Sequence, residues 1–271
     1  MKKYTEKDTE NFYDKEDSLY RSFWDKNGSL HWGLFKEEDE EYLEATENLT
    51  ELMVEKAGID SNSKILDLGC GNGESSIQLA DEFKCEVVGV DISGVRIKNA
   101  KEKLQKSKLS LLVKFLKGTA TNLPFENNEF THVWSQSTIY HVHNKDKALK
   151  EIYRVLKNDG IFVFDDLLKP KENISKETEK HVYDRLLFDT PFSFETYKDK
   201  LKEIGFNITY LKDISPHLQK SYEELINILK KKTENKDDYE DKYKSLIYSY
   251  KKMVDAIKNK ELGWGIYLCN K

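Results

Sequence analysis

From residue 63 onward the apolar positions fall into short runs, at 64–68, 86–90, 112–116, 131–135 and 161–164. Between them lie longer stretches, about 74–83, 94–107 and 145–156, in which apolar residues recur every three or four positions. Short branched and aromatic runs read as strands buried on both faces, and the stretches between them as helices with one apolar side. The pattern therefore predicts βαβ units and a parallel sheet. Ahead of it, helical spacing around Leu19 and Phe23, and again around Leu43, Leu49 and Met53, predicts two or three helices that cannot form a core alone.

Beyond Asp165 the alternation loosens. A charged helix is expected near 173–188, a turn at Thr190-Pro-Phe192, a helix at 194–204, a strand at 207–211 and a Lys- and Tyr-rich helical region over 221–259. The apolar segment 262–269 suits a last strand that returns to the sheet, which makes the helices before it a cap on the same domain. The expected fold is doubly wound α/β with a mostly parallel seven-stranded sheet. It divides into an N-terminal helical lid (1–60), a ligand-binding core (61–214), a helical cap (215–260) and the final strand (261–271).

Composition narrows the function. A chain of 271 residues, 38% hydrophobic, can bury one sizeable core with a modest cap. Its 44 Lys and Arg are scattered among 49 Asp and Glu, for a net charge of -5, which argues against a surface that tracks nucleic-acid phosphates. The runs Lys230-Lys-Lys232 and Lys251-Lys252 read as solvated helix faces. Cys70, Cys85 and Cys269 show no CxxC spacing, and the six histidines show no metal-ligand spacing, so neither a disulfide framework nor a metal is expected. No apolar stretch approaches the roughly 18 residues of a membrane span, and none follows the lysines at the N-terminus. A cytoplasmic monomer or homodimer acting on a small molecule is expected.

The chemistry concentrates after the first strand. Ile65-Leu-Asp-Leu-Gly-Cys-Gly-Asn-Gly73 places an acid, Asp67, at the strand end and then glycines at 69, 71 and 73 before a helix. Such a loop lets a ligand approach bare backbone at the carboxyl edge of the sheet. A dinucleotide fingerprint would read G-x-G-x-x-G, but Glu74 stands where its third glycine would be and would repel a pyrophosphate. Asp91 closes the second strand, where a carboxylate can accept both hydroxyls of a ribose. Asp67 can hold the amino group of a methionine moiety, which favours S-adenosylmethionine over a nicotinamide cofactor.

At these residues the chain resembles the class I S-adenosylmethionine-dependent methyltransferases, whose first motif is D-x-G-x-G-x-G. The resemblance continues through Lys117-Gly-Thr-Ala-Thr-Asn-Leu-Pro-Phe125 and through 148–157 with Asp159-Gly160. It implies a donor site built from Asp67, Gly69, Gly71, Gly73, Asp91, Ile92 and Arg96, with Thr119, Ala120 and Thr121 beside the adenine and Ser135 and Trp32 completing it. Tyr20-Arg-Ser-Phe-Trp24, His31-Trp-Gly-Leu-Phe35, Trp134-Ser-Gln-Ser-Thr-Ile-Tyr-His141 and Leu262-Gly-Trp-Gly-Ile266 are similar to the glycine-sarcosine and sarcosine-dimethylglycine N-methyltransferases, and more distantly to phosphoethanolamine methyltransferases. That likeness implies methylation of a small amine toward a quaternary ammonium such as betaine.

Methyl transfer is an in-line displacement that mainly requires alignment and exclusion of water. Gln136 and His141 follow the fourth strand at the edge where ligands bind, so they are the expected catalytic residues, His141 as proton acceptor or substrate positioner. Trp24 and His31 are expected on the substrate side, where an aromatic face stabilises a quaternary ammonium. Arg21 and Arg185 are candidates to pair with a substrate carboxylate, since a guanidinium fork matches it bidentately. Competing readings are an O- or C-methyltransferase of a secondary metabolite, a phosphoethanolamine N-methyltransferase and a non-catalytic S-adenosylmethionine-binding module.

Overall fold

The computed structural model describes residues 4–187, 191–234 and 239–271, so part of the turn expected at 190–192 lies outside the described residues. Among these, the strands are β1 (Lys64–Leu68), β2 (Glu86–Asp91), β3 (Val113–Lys117), β4 (Phe130–Gln136), β5 (Leu156–Leu168), β6 (Asn207–Asp213) and β7 (Gly263–Asn270). They form one sheet in the order β3-β2-β1-β4-β5-β7-β6. Strands β1 to β5 pair in parallel, and β7 enters antiparallel between β5 and β6. This is the expected doubly wound, mostly parallel seven-stranded sheet, with the late strand returning to it.

The helices are α1 (Glu6–Phe23), α2 (Tyr42–Ala57), α3 (Glu74–Phe83), α4 (Gly94–Gln105), α5 (Lys145–Val155), the single turn α6 (Lys176–Thr178), α7 (Phe194–Ile204), α8 (Ser215–Glu234) and α9 (Glu240–Lys258). Helix α1 starts where Thr5 and Asp8 cap each other's backbone amides. None of the described helices is long and apolar enough to cross a membrane. The sheet is covered on both faces. On one side Leu49 and Met53 of α2 meet Trp134, Val163 and Trp264, and on the other Leu149 and Ile152 of α5 meet Phe162, Phe164, Tyr197 and Tyr267.

Two expectations need correction. The helix expected near 173–188 shortens to α6 followed by one π-helical turn, Glu179–Tyr183. Glu261 accepts bonds from the Ser175 amide and hydroxyl at 3.1 and 2.9 Å, and its carbonyl accepts from the Tyr183 hydroxyl at 2.7 Å. Tied at both ends, the segment widens so that Val182 and Tyr183 both enter the core. Strand β5 begins at Leu156 rather than near 161, because a bulge absorbs the polar Lys157-Asn-Asp-Gly160: Phe130 pairs with Leu156, yet His132 pairs with Ile161. The helical region expected over 221–259 is present as α8 and α9, whose Tyr222 and Tyr250 rings meet across the pair at 5.2 Å with their planes tilted by 52°.

Candidate active site

Strands β1, β2 and β4 end on the same edge, and the loops after them open a cleft of about 1390 Å³ counting its mouth. Helix α1 lies across this edge and closes one wall with Phe12, Tyr13 and Tyr20. The loop after β1 supplies the floor. Gly69 and Gly71 both line the cleft with positive φ, 80° and 52°. They do different work. A Cβ on Gly69 would sit 2.1 Å from the Thr138 hydroxyl, whereas one on Gly71 would meet nothing closer than Arg96 Nη1 at 3.9 Å. Gly71 therefore presents bare backbone to the cleft. Gly73 does not line it; a Cβ there would strike the Phe115 ring at 2.5 Å, so this glycine seats α3 against the sheet and is a packing residue.

Asp91 accepts the Gly71 amide on Oδ2 at 2.9 Å and the Ser93 amide on Oδ1 at 2.8 Å, which fixes the carboxylate at the cleft with lone pairs to spare. Burial raises its pKa. Burial also pushes Asp67 up to about 7, against the hydroxyl bond it accepts from Ser76. Ile92, Thr119 and Ala120 line the end next to Asp91. Arg96 lines the cleft too: its Nε donates to Asp17 at 3.3 Å, its plane lies 4.0 Å from the Tyr13 ring, and its buried Nη2 has no partner. Bare backbone, a diol-accepting carboxylate, a second acid and an unpaired guanidinium nitrogen suit a nucleoside carrying an amino-acid chain.

The loop after β4 carries His141, held by a dense set of bonds from behind. Asp166 accepts the Tyr140 amide at 2.9 Å, Asp165 accepts the Ser137 hydroxyl at 2.6 Å and Trp264 Nε1 at 2.7 Å, and Lys145 Nζ donates to the Tyr140 and Val142 carbonyls at 3.1 and 2.7 Å. His141 Nε2 bonds the Tyr13 hydroxyl, while Nδ1 faces the Leu186–Leu187 backbone without closing a hydrogen bond. Burial, then the charges of Lys145 and Arg96, drive its pKa to about 3. A neutral ring that resists protonation suits the positioning role better than the proton-accepting one. Gln136 reaches the cleft, but its amide is committed: Oε1 accepts from Ser75 and Trp134 at 3.0 and 3.2 Å, and Nε2 donates to Thr50 at 3.4 Å.

The structure separates the two arginines. Arg185 enters the cleft, donating to the Tyr20 hydroxyl at 3.3 Å with its guanidinium 5.4 Å from the Tyr250 ring, and it pairs with no carboxylate among the described residues. Arg21 does not line the cleft; it turns back to Asp17 one helical turn earlier, at 3.6 Å, with 40% of its side chain exposed. Ser135 is likewise outside, fully buried in the sheet and bonded to the Leu68 carbonyl at 2.9 Å. Thr121 stands behind Thr119 instead of lining the cleft. Trp24, His31 and Trp32 do line it, but Trp32 packs among Tyr140, Tyr222 and Trp264 at 6.3, 5.9 and 5.8 Å, on the side of Arg185 and away from the glycine loop. Burial lowers the His31 pKa to about 4.

Sequence reasoning missed Glu6, Tyr13, Tyr20, Tyr222 and Tyr250, all of which face the cleft. Tyr13 and Tyr20 lie seven positions apart on α1, a spacing that puts them on one face, so a signal existed for that pair.

Residues 59–204, more than half of the chain, match a family described as a methyltransferase domain. The (+)-O-methylkolavelool synthase of Herpetosiphon aurantiacus is 31% identical over 216 residues, 79% of this chain and 75% of that protein. The sarcosine/dimethylglycine N-methyltransferase of Aphanothece halophytica is 26% identical over 268 residues, 96% of this chain and 95% of its own length. The phosphoethanolamine N-methyltransferase 2 of Haemonchus contortus, solved with phosphomonomethylethanolamine and S-adenosylhomocysteine, shares the fold with a TM-score of 0.84 at 21% identity, over 97% of this chain and 60% of that one. With its intact glycine loop, Asp67 and Asp91 at one cleft, the chain belongs to the S-adenosylmethionine-dependent methyltransferases.

Proposed function

We propose that the enzyme methylates the nitrogen of a glycine-series amine, glycine, sarcosine or dimethylglycine, on the way to betaine. The observation that carries this reading is Arg185: a half-buried guanidinium in the cleft, beside Tyr20 and Tyr250 and without a carboxylate partner among the described residues, is a seat for an anionic acceptor. The aromatic wall of Trp24, Trp32, Tyr20 and Tyr222 next to it suits a methylated ammonium through cation-π contact.

In this reading Asp91 holds the donor's ribose, Asp67 and the backbone at Gly69 hold its amino-acid end, and Arg96 Nη2 finds its missing partner in the donor's carboxylate. S-adenosylmethionine supplies the methyl group on a sulfonium. The chain's own residues bind and align: Arg185 takes the acceptor carboxylate, neutral His141 with Tyr13 fixes the acceptor's orientation, and helix α1 excludes water. The positive charge of Arg185 also lowers the pKa of a nearby amine, which favours the free-base form that attacks.

An apolar alcohol is the second reading, favoured by the aromatic lining and by the kolavelool-modifying relative, but it would leave Arg185 in the cleft without a carboxylate partner among the described residues. The test is S-adenosylhomocysteine release with glycine, sarcosine, dimethylglycine, phosphoethanolamine and apolar alcohols as acceptors. Turnover on the glycine series supports the proposal, and turnover confined to phosphoethanolamine or to alcohols refutes it.

A further inference from the structure

The first turn of α1 places a carboxylate inside the cleft that neither the glycine loop nor the strand ends account for. Glu6 lines the same end as Gly118, Thr119 and Ala120. Its Oε1 accepts two hydroxyl bonds, one from Thr119 and one from Thr121 at 2.6 Å, and the Thr119 hydroxyl is itself braced by the Thr121 amide at 3.2 Å. Its Oε2 accepts no hydrogen bond among the described residues, and no Lys or Arg pairs with it. A carboxylate fixed through one oxygen and open through the other, at the wall of a ligand cleft, is set to accept a hydrogen bond from a ligand's N–H.

The position says which N–H. Asp91 marks where the ribose goes, and the end lined by Ile92, Thr119 and Ala120 lies beyond it, where the base attached to that ribose must lie. Adenine carries one exocyclic amino group, a pure donor, and Glu6 Oε2 is an open carboxylate acceptor at that end among the described residues. We propose that Glu6 reads the adenine 6-amino group, so that the donor's base is selected by the lid helix and not by the loop after β3 alone. This rests on the placement of the donor in this cleft. It also gives α1 a reason to close: the helix gains a charge-assisted bond only when the correct base is present. Glu10 with Lys117 at 2.6 Å and Asp14 with the Ser93 hydroxyl at 2.6 Å hold the next turns of α1 along the same rim and supply the alignment.

The test is titration calorimetry of the full chain with S-adenosylhomocysteine and with its analogue carrying hydrogen in place of the 6-amino group. The wild type is expected to prefer the amino compound roughly 10- to 100-fold, the range of one hydrogen bond to a charged acceptor. Glu6→Ala is expected to reduce that preference below about threefold while binding the hydrogen analogue as the wild type does. A variant that weakens both ligands equally would show Glu6 to be only a latch for α1 and overturn the inference, as would a wild type with no preference. Should Glu6→Ala fail to fold, Glu6→Gln, which keeps the volume but removes the charge, is expected to cut the preference severalfold; an unchanged preference overturns the inference. A wild type that binds neither ligand would overturn the donor placement itself and the inference with it.

Discussion

Gly69 and Gly71 have the same type of backbone and sit two residues apart, yet the structure assigns them opposite costs on substitution. Gly71→Ala adds a methyl whose nearest neighbour is Arg96 Nη1 at 3.9 Å, so its only penalty in the folded protein is an alanine at φ 52°. That strain is worth about 1–2 kcal/mol. For a chain of this size it lowers Tm by about 2–8 °C. Gly69→Ala adds the same strain and drives the methyl to 2.1 Å from Thr138 Oγ1 and 2.3 Å from its Cγ2, atoms that are themselves placed by the Thr138 bond to the Gln136 carbonyl. Overpacking of that kind costs a further 1–3 kcal/mol or more. The ligand side reverses the ranking. The Gly71 methyl points into the space where a donor must meet bare backbone, so S-adenosylhomocysteine affinity is expected to fall at least tenfold, about 1.4 kcal/mol. Gly71→Asp, which adds charge beside Asp91, is expected to abolish binding. Thermal melts and calorimetric titration of the purified variants decide the matter. A Gly71→Ala protein that binds like the wild type, or one destabilised as much as Gly69→Ala, would refute the reasoning.

Three further outcomes are expected. Arg185→Ala should raise KM for a carboxylate acceptor by about 10²-fold, the cost of removing a hydrogen-bonded charge partner from the cleft, with S-adenosylhomocysteine affinity within threefold of wild type; Arg185→Lys, lacking the planar fork, should recover only part of the loss. Asp67 binds a proton more tightly folded than unfolded, so its contribution to stability is full below pH 4 and is lost as pH rises through about 7. Melts of the ligand-free protein from pH 5 to 7.5 should show this loss, and Asp67→Asn should flatten it; a wild-type curve that rises over this range without such flattening would contradict the burial argument. His141→Ala should lower turnover about 10- to 100-fold with donor affinity kept, and the wild-type pH–rate profile should contain no limb that this variant removes between pH 5 and 8, because His141 titrates near 3.

The contrast between the two halves of the site explains what one sequence can disclose. The end of the cleft proposed for the donor is local. Asp67, Gly71, Asp91, Ile92, Thr119 and Ala120 lie within about two βαβ units, where strand period and glycine spacing fix which residues reach the carboxyl edge, and all of them line the cleft. The errors there are of packing. Ser135 sits at the end of β4, but its hydroxyl is used by the neighbouring strand at Leu68, and Gly73 is spent on Phe115. The end proposed for the acceptor is assembled from residues 20, 24, 31, 32, 185, 222 and 250, carried by α1, its following loop, the π-turn segment, α8 and α9. Nothing in their spacing relates them, since only tertiary packing brings them together. The arginines show where local reasoning still had purchase. Asp17 stands four residues before Arg21 on one helix, a pairing legible from the sequence that removes Arg21 from the substrate. Arg185 follows a helix that its anchors to Glu261 cut short, and no carboxylate stands three or four residues before it, where Asp17 stands before Arg21. A half-buried guanidinium in the cleft with no carboxylate on it among the described residues is the feature on which the proposed anionic acceptor rests, and only tertiary packing places it there.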